Sequence, residues 1–97
     1  AVTPGASGAI QLILTSILDE GDEVLLTDPG YPCNRNMTKL LSAKDINVPL
    51  TADNNFLVTT TLLEAYRTDK TKALLIASPS NPTGSRYSKA QIKVLAD

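Results

Sequence analysis

Lys72-Ala73-Leu74-Leu75-Ile76-Ala77, followed by Ser78-Pro79-Ser80-Asn81-Pro82-Thr83-Gly84, is the stretch on which the reading of this chain turns. The first half is a short, nearly continuous apolar run, the pattern of a strand in a sheet covered on both faces. The second half is a turn between that strand and a helix predicted to begin after Ser88. In open α/β sheets the carboxyl ends of the strands border the ligand crevice, so this turn stands where a binding loop belongs. Two prolines bracket Asn81 and restrict the backbone, which presents its amide in one orientation, and Gly84 can supply a positive φ. Residues of these types also make ordinary turns that bind nothing.

The strand-then-turn arrangement occurs once before. Val24-Leu25-Leu26-Thr27 reads as a buried strand that runs directly into Asp28-Pro29-Gly30-Tyr31-Pro32. Upstream, Ala9, Ile10, Ile13, Leu14, Ile17 and Leu18 recur at helical spacing and predict a helix from Ala6 to Leu18, ending at Asp19-Glu20-Gly21. Between the two strands, Cys33 to Ser42 predicts a helix with Met37, Leu40 and Leu41 on its apolar side, and Lys44 to Leu50 a further strand. Thr51 to Asn55 is a polar connection and Phe56 to Val58 a short extended piece. Thr61 to Arg67 predicts a helix that packs Leu62, Leu63 and Tyr66, and a last helix carries Ala90, Ile92, Val94 and Leu95 behind a Ser88 cap. Helices alternating with strands indicate a three-layer α/β/α fold with a mostly parallel sheet and right-handed crossovers.

Composition narrows the function classes. Nine basic and ten acidic residues among 97 give a net charge of -1, with no positive field to hold nucleic acid. No apolar run is long enough to span a bilayer, so no membrane partner is expected. A single cysteine, Cys33, excludes an internal disulfide, and without histidine a transition-metal site has almost no soft or imidazole ligands. With no signal-peptide pattern at its start, the chain reads as cytoplasmic. Its abrupt ends in motif-rich and helical sequence suggest a piece of a larger protein.

Three places could carry chemistry. Gly5-Ala6-Ser7-Gly8 opens the first helix, where small residues and unpaired N–H groups suit a phosphate, although plain helix capping explains the same residues. There is no Walker or G-x-G-x-x-G pattern. Tyr31, between Gly30 and Pro32, can hold its ring flat against an aromatic ligand or simply close the top of the sheet. Asn81 is the third. Asp28 is not assigned as a catalytic acid, Arg35 reads as a solvated helix residue, Tyr66 as core, and Tyr87 as undecided between core and site. Cys33 has no partner to activate it. Lys39, Lys44, Lys70, Lys72 and Lys89 fall in polar or element-flanking contexts.

Taken together, Gly5-Ala6-Ser7, Asp28-Pro29-Gly30-Tyr31-Pro32 and Ser80-Asn81-Pro82-Thr83-Gly84 resemble, in order and spacing, the large domain of the class I and II aminotransferases, the fold-type-I group dependent on pyridoxal 5'-phosphate. The resemblance covers essentially all of residues 1–97 and marks them as a partial cofactor-binding large domain. It implies that Gly5, Ala6 and Ser7 help hold the cofactor phosphate, that Tyr31 stacks on the pyridine ring, and that Asn81 hydrogen-bonds the phenolic oxygen. It also makes the peptide bonds before Pro29 and Pro82 candidates for cis geometry.

The implied activity of the parent protein moves an amino group between an amino acid and a 2-oxo acid, with the cofactor as electron sink. The family places its pyridine-nitrogen Asp, its Schiff-base Lys, a further phosphate ligand and the substrate-carboxylate Arg downstream of the matched asparagine, beyond Asp97. The segment alone is therefore expected to be inactive, and the full-length parent to be a homodimer. A lyase, decarboxylase or acyl-transfer reaction on the same cofactor, or a non-catalytic phosphate-ligand or protein-binding module, would keep the same turns. Amino acid specificity is not written in this stretch.

Overall fold

β1 (Glu23–Asp28) lies at the centre of a three-stranded parallel sheet, between β2 (Lys44–Pro49) and β3 (Thr71–Leu75). The computed structural model describes residues 1–97. Side chains alternate across a strand, so β1 divides the core in two. Val24 and Leu26 pack with Leu14, Leu18, Met37 and Ala43 on one face, and Leu25 packs with Val48, Leu50 and Val58 on the other. β3 divides in the same way, with Ala73 and Leu75 against the first cluster and Leu74, with Ile76 just beyond the strand, against the second. That double burial is why its sequence is apolar without alternation.

The helices complete the layers. α1 (Gly5–Ile17) and α2 (Pro32–Leu40) cover the first face, and α3 (Thr60–Tyr66) and α4 (Lys89–Ala96) cover the second, with Leu62, Leu63, Tyr66 and Leu95 facing inward. This is the expected three-layer α/β/α arrangement with a parallel sheet. Pro32 starts α2 at the first helical position, where its missing N–H has no partner to lose. Ser88 caps α4 through a reciprocal pair: Gln91 N–H donates to Ser88 Oγ at 3.2 Å and Ser88 N–H to Gln91 Oε1 at 2.7 Å. No helix is long and apolar enough to cross a membrane.

The segment after β2 differs from expectation. Phe56 is not extended: Ala52–Asn54 form one 3₁₀ turn, and Asn55 and Phe56 take φ values of 53° and 55°. The Phe56 N–H donates to the Thr51 carbonyl at 2.9 Å, folding residues 51–56 back on themselves. Apolar content suggested a short extended piece here, but with β2 already at the edge of the sheet the chain instead turns to bury Val58 beneath it.

Candidate functional site

Parallel strands bring their carboxyl ends to one side of the sheet, and there the turns after β1 and β3 meet. The turn after β1 is tight at Gly30, where a Cβ would stand 2.3 Å from the Thr27 carbonyl oxygen, so only glycine fits. The Asp28–Pro29, Ser78–Pro79 and Asn81–Pro82 peptide bonds are cis, including the two anticipated. After β3, the Ser80 N–H donates to the Ser85 carbonyl at 2.7 Å and the Gly84 N–H to the Ser80 carbonyl at 2.8 Å. Gly84, at φ 75°, supplies the left-handed residue this closed loop requires.

Tyr31 and Asn81 line the same hollow, of about 80 Å³, together with Ile10 of α1 and Ser80. Thr27, Gly30, Tyr31, Asn34 and Leu75 line both this hollow and an adjoining one of about 350 Å³, which also reaches Asp28 and Arg35. The Tyr31 side is open: the residue is 44 % exposed and stands at the N-cap of α2 in extended conformation. Asn81 is likewise exposed.

Gly5, Ala6 and Ser7 form the exposed first turn of α1. They do not line the shared hollow; α1 reaches it through Ile10, one turn further on. The α1 N-terminus has Pro4 as its N-cap, no side-chain cap and no acidic residue in its first turn. The Gly5 N–H is taken by the Thr3 carbonyl at 2.8 Å, which leaves the Ala6 and Ser7 N–H groups and the positive end of the dipole open to an anion.

The Tyr31 phenol titrates above its ordinary value of 10.0, first through a side-chain hydrogen bond with Cys33 and then through charge on that thiol, with a further small contribution from desolvation.

Asn34 was not singled out by sequence. Its side-chain Oδ1 is buried and has no hydrogen-bond partner, and the residue lines both hollows. An acceptor left in this state costs about 1–3 kcal/mol, so it fits a site that receives a donor when occupied. Position alone could have flagged it, since it stands three residues after Tyr31 and so one helical turn along the same face of α2.

Arg35 is not simply solvated, as the sequence suggested. Its guanidinium pairs with Asp45 at 3.1 Å (Nε to Oδ2) and donates from Nη2 to Asn47 Oδ1, both on the α2 face of β2. The expectation failed because Asp45 and Asn47 come within reach only once β2 is in register. Tyr66 packs as core, and Tyr87 packs against the same cluster with its hydroxyl accepting from the Val58 N–H at 2.9 Å. Lys39, Lys44, Lys70, Lys72 and Lys89 are all exposed.

Comparison with known proteins supplies an independent result. The family model described as aminotransferase class I and II matches residues 1–97. An aspartate aminotransferase of Musicola paradisiaca is 36 % identical over 94 residues, 97 % of this chain and 24 % of its own length. A tyrosine aminotransferase of Dictyostelium discoideum is 41 % identical over 93 residues, 94 % of this chain and 22 % of its own length. The crystal structure of an aromatic aminotransferase from Pyrococcus horikoshii superposes with a TM-score of 0.92 at 35 % identity, over 96 % of this chain and 25 % of that one. The chain spans about a quarter of the length of the relatives it matches.

Proposed function

We propose, from the premise that this chain belongs to the aminotransferase class I and II family, that residues 1–97 are part of the large domain of a pyridoxal-phosphate-dependent aminotransferase. The observation that carries this reading is the shared hollow of Tyr31 and Asn81, two residues brought together from separate strand ends. The exposed apolar side chains of α1, with Leu12, Ile13 and Ile17 at 56 %, 57 % and 45 % exposure, fit a segment that packs against more protein than these residues supply.

The residues present suit pyridoxal 5'-phosphate. A flat ring has Tyr31 beside it, an acceptor or donor on its edge has the amides of Asn81 and Asn34, and a phosphate has the uncapped first turn of α1 at Gly5, Ala6 and Ser7. When bound, the cofactor supplies an electron sink for cleavage at the amino acid's Cα. The chain's own part is to bind and orient. Tyr31 holds the plane of the ring, worth about 0.5–1.5 kcal/mol beyond area burial. Asn81, donating from its amide to the phenolic oxygen, favours the deprotonated form of that oxygen. The α1 N-terminus offers N–H donors to the phosphate.

The reaction read from this site moves an amino group between an amino acid and a 2-oxo acid. The relatives named for aspartate, tyrosine and aromatic aminotransfer match at similar identity, so similarity over this region does not distinguish among those substrates. A homodimeric parent in the cytoplasm accords with this reading. Lys39, Lys44, Lys70, Lys72, Lys89 and Lys93 are exposed and none lines either hollow, so the segment alone is expected to be inactive.

The test uses the full-length parent, loaded with pyridoxal phosphate and given an amino donor without acceptor, with the cofactor absorbance followed. Conversion of the bound chromophore by at least one amino acid supports the reading, and release of carbon dioxide or elimination products without amino transfer contradicts it. The isolated segment is expected to give no sustained turnover.

A further inference from the structure

The loop that carries Asn81 is held from the far side of the sheet. It leaves β3, at one edge, yet its two outward hydrogen bonds run to the segment that follows β2, at the opposite edge. Ser85 Oγ donates to the Asn55 carbonyl, and the Val58 N–H donates to Tyr87 Oη at 2.9 Å. Tyr87 is also tied back to the start of the loop, its N–H donating to Ser78 Oγ at 3.0 Å. Both ends of the turn are thus fixed through one tyrosine.

The support beneath is itself rigid. The Asn54, Asn55, Phe56 and Leu57 N–H groups all bond within residues 51–54, and Val58 is 5 % exposed in the core cluster that also receives the Tyr87 ring. Between Ser78 and Gly84 the turn has no apolar anchor, since Ser78, Pro79, Asn81, Pro82 and Gly84 are exposed. Its placement over the hollow therefore rests on the packed Tyr87 ring and on these polar ties.

We propose that Tyr87 is a positioning residue for Asn81, its hydroxyl and backbone N–H together with Ser85 fixing the turn so that the Asn81 amide faces the hollow it shares with Tyr31. This rests on the reading of Asn81 as the donor to the cofactor's phenolic oxygen. Removing the hydroxyl leaves the ring packed but frees the turn from Val58. The amide then spends less time aligned, and the deprotonated form of the oxygen loses part of its support. Tyr31 is the titratable group lining the shared hollow, and Asp28 and Arg35 line the adjoining one; none of them is changed by the substitutions.

The experiment is an absorbance pH titration of bound pyridoxal phosphate in the full-length holoenzyme. Asn81→Ala is expected to raise the midpoint, Tyr87→Phe to raise it in the same direction by a smaller amount of about half a pH unit, and the double variant to match Asn81→Ala alone. Leu63→Ala, which loosens the same core cluster away from the loop, should leave the midpoint in place. Should Tyr87→Phe fail to fold, Ser85→Ala tests the second tie and is expected to shift the midpoint likewise. An unmoved midpoint in Tyr87→Phe, an additive double variant, or an equal shift in Leu63→Ala overturns the proposal. An unmoved midpoint in Asn81→Ala overturns the reading of Asn81 itself, and the proposal with it.

Discussion

Tyr31 and Asn81 belong to loops that follow different strands, yet they line one hollow at the carboxyl side of a parallel sheet. The pairing follows from topology: β1 and β3 are neighbours and run the same way, so the turns that leave them emerge side by side. An aromatic ring and an amide thereby face a common space that neither loop could form alone.

Replacing Tyr31 measures what the ring contributes. In the full-length protein, Tyr31→Ala is expected to weaken pyridoxal phosphate binding by at least about 2- to 12-fold, the equivalent of about 0.5–1.5 kcal/mol of stacking. Tyr31→Phe, which keeps the ring, should bind within about twofold of the original. Fluorescence titration of the unloaded protein checks both.

Asn34 should show opposite effects on stability and binding. Its orphaned oxygen is a cost in the unliganded protein, so Asn34→Leu is expected to raise the thermal midpoint of the unloaded protein while weakening cofactor affinity by a few-fold. Thermal unfolding with and without pyridoxal phosphate separates the two signs. Loss of stability together with unchanged affinity contradicts a binding role.

The Tyr31 phenol provides a pH test. Its titration is raised because a hydrogen bond with Cys33, and charge on that thiol, both favour the protonated phenol. Cys33→Ala removes both causes, so the Tyr31 pKa is expected to fall toward 10.0, as read by NMR titration of ring-labelled tyrosine. Below the phenol's pKa the two proteins should share the same protonation state, and the difference should emerge only as the pH rises through it.

The ion pair between Arg35 and Asp45 ties α2 to β2 at 3.1 Å, with the side chains 38 % and 17 % exposed. Arg35→Ala leaves the less exposed carboxylate unpaired and frees the Asn47 oxygen, at an expected cost of about 1 kcal/mol once partial solvent screening is allowed for. Urea unfolding midpoints at low and high salt check this, with the difference expected to narrow as salt rises.

Much of the fold could be read before the structure because its signals are local. The apolar run from Lys72 to Ala77 marks a doubly buried strand, and proline with glycine marks the turns on either side of Tyr31 and Asn81. The three loops that suggest the family are likewise contiguous in sequence. What escaped the reading depends on distance. Arg35 finds Asp45 only after β2 is in register, Asn34 is recognised by a missing partner, and Tyr87 takes its role from Val58 across the fold. Phe56 was misjudged because apolar content alone does not distinguish an extended piece from a turn that buries its neighbour.

Under the proposed function, Tyr31 and Asn81 hold one cofactor between them, with its phosphate toward the first turn of α1. A crystal structure of the full-length protein grown with pyridoxal phosphate decides this. The expected result is the pyridine ring stacked on Tyr31, the Asn81 amide within hydrogen-bond distance of the phenolic oxygen, and the phosphate against the backbone of Gly5, Ala6 and Ser7. A cofactor seated away from Tyr31 and Asn81 would remove both residues from the site.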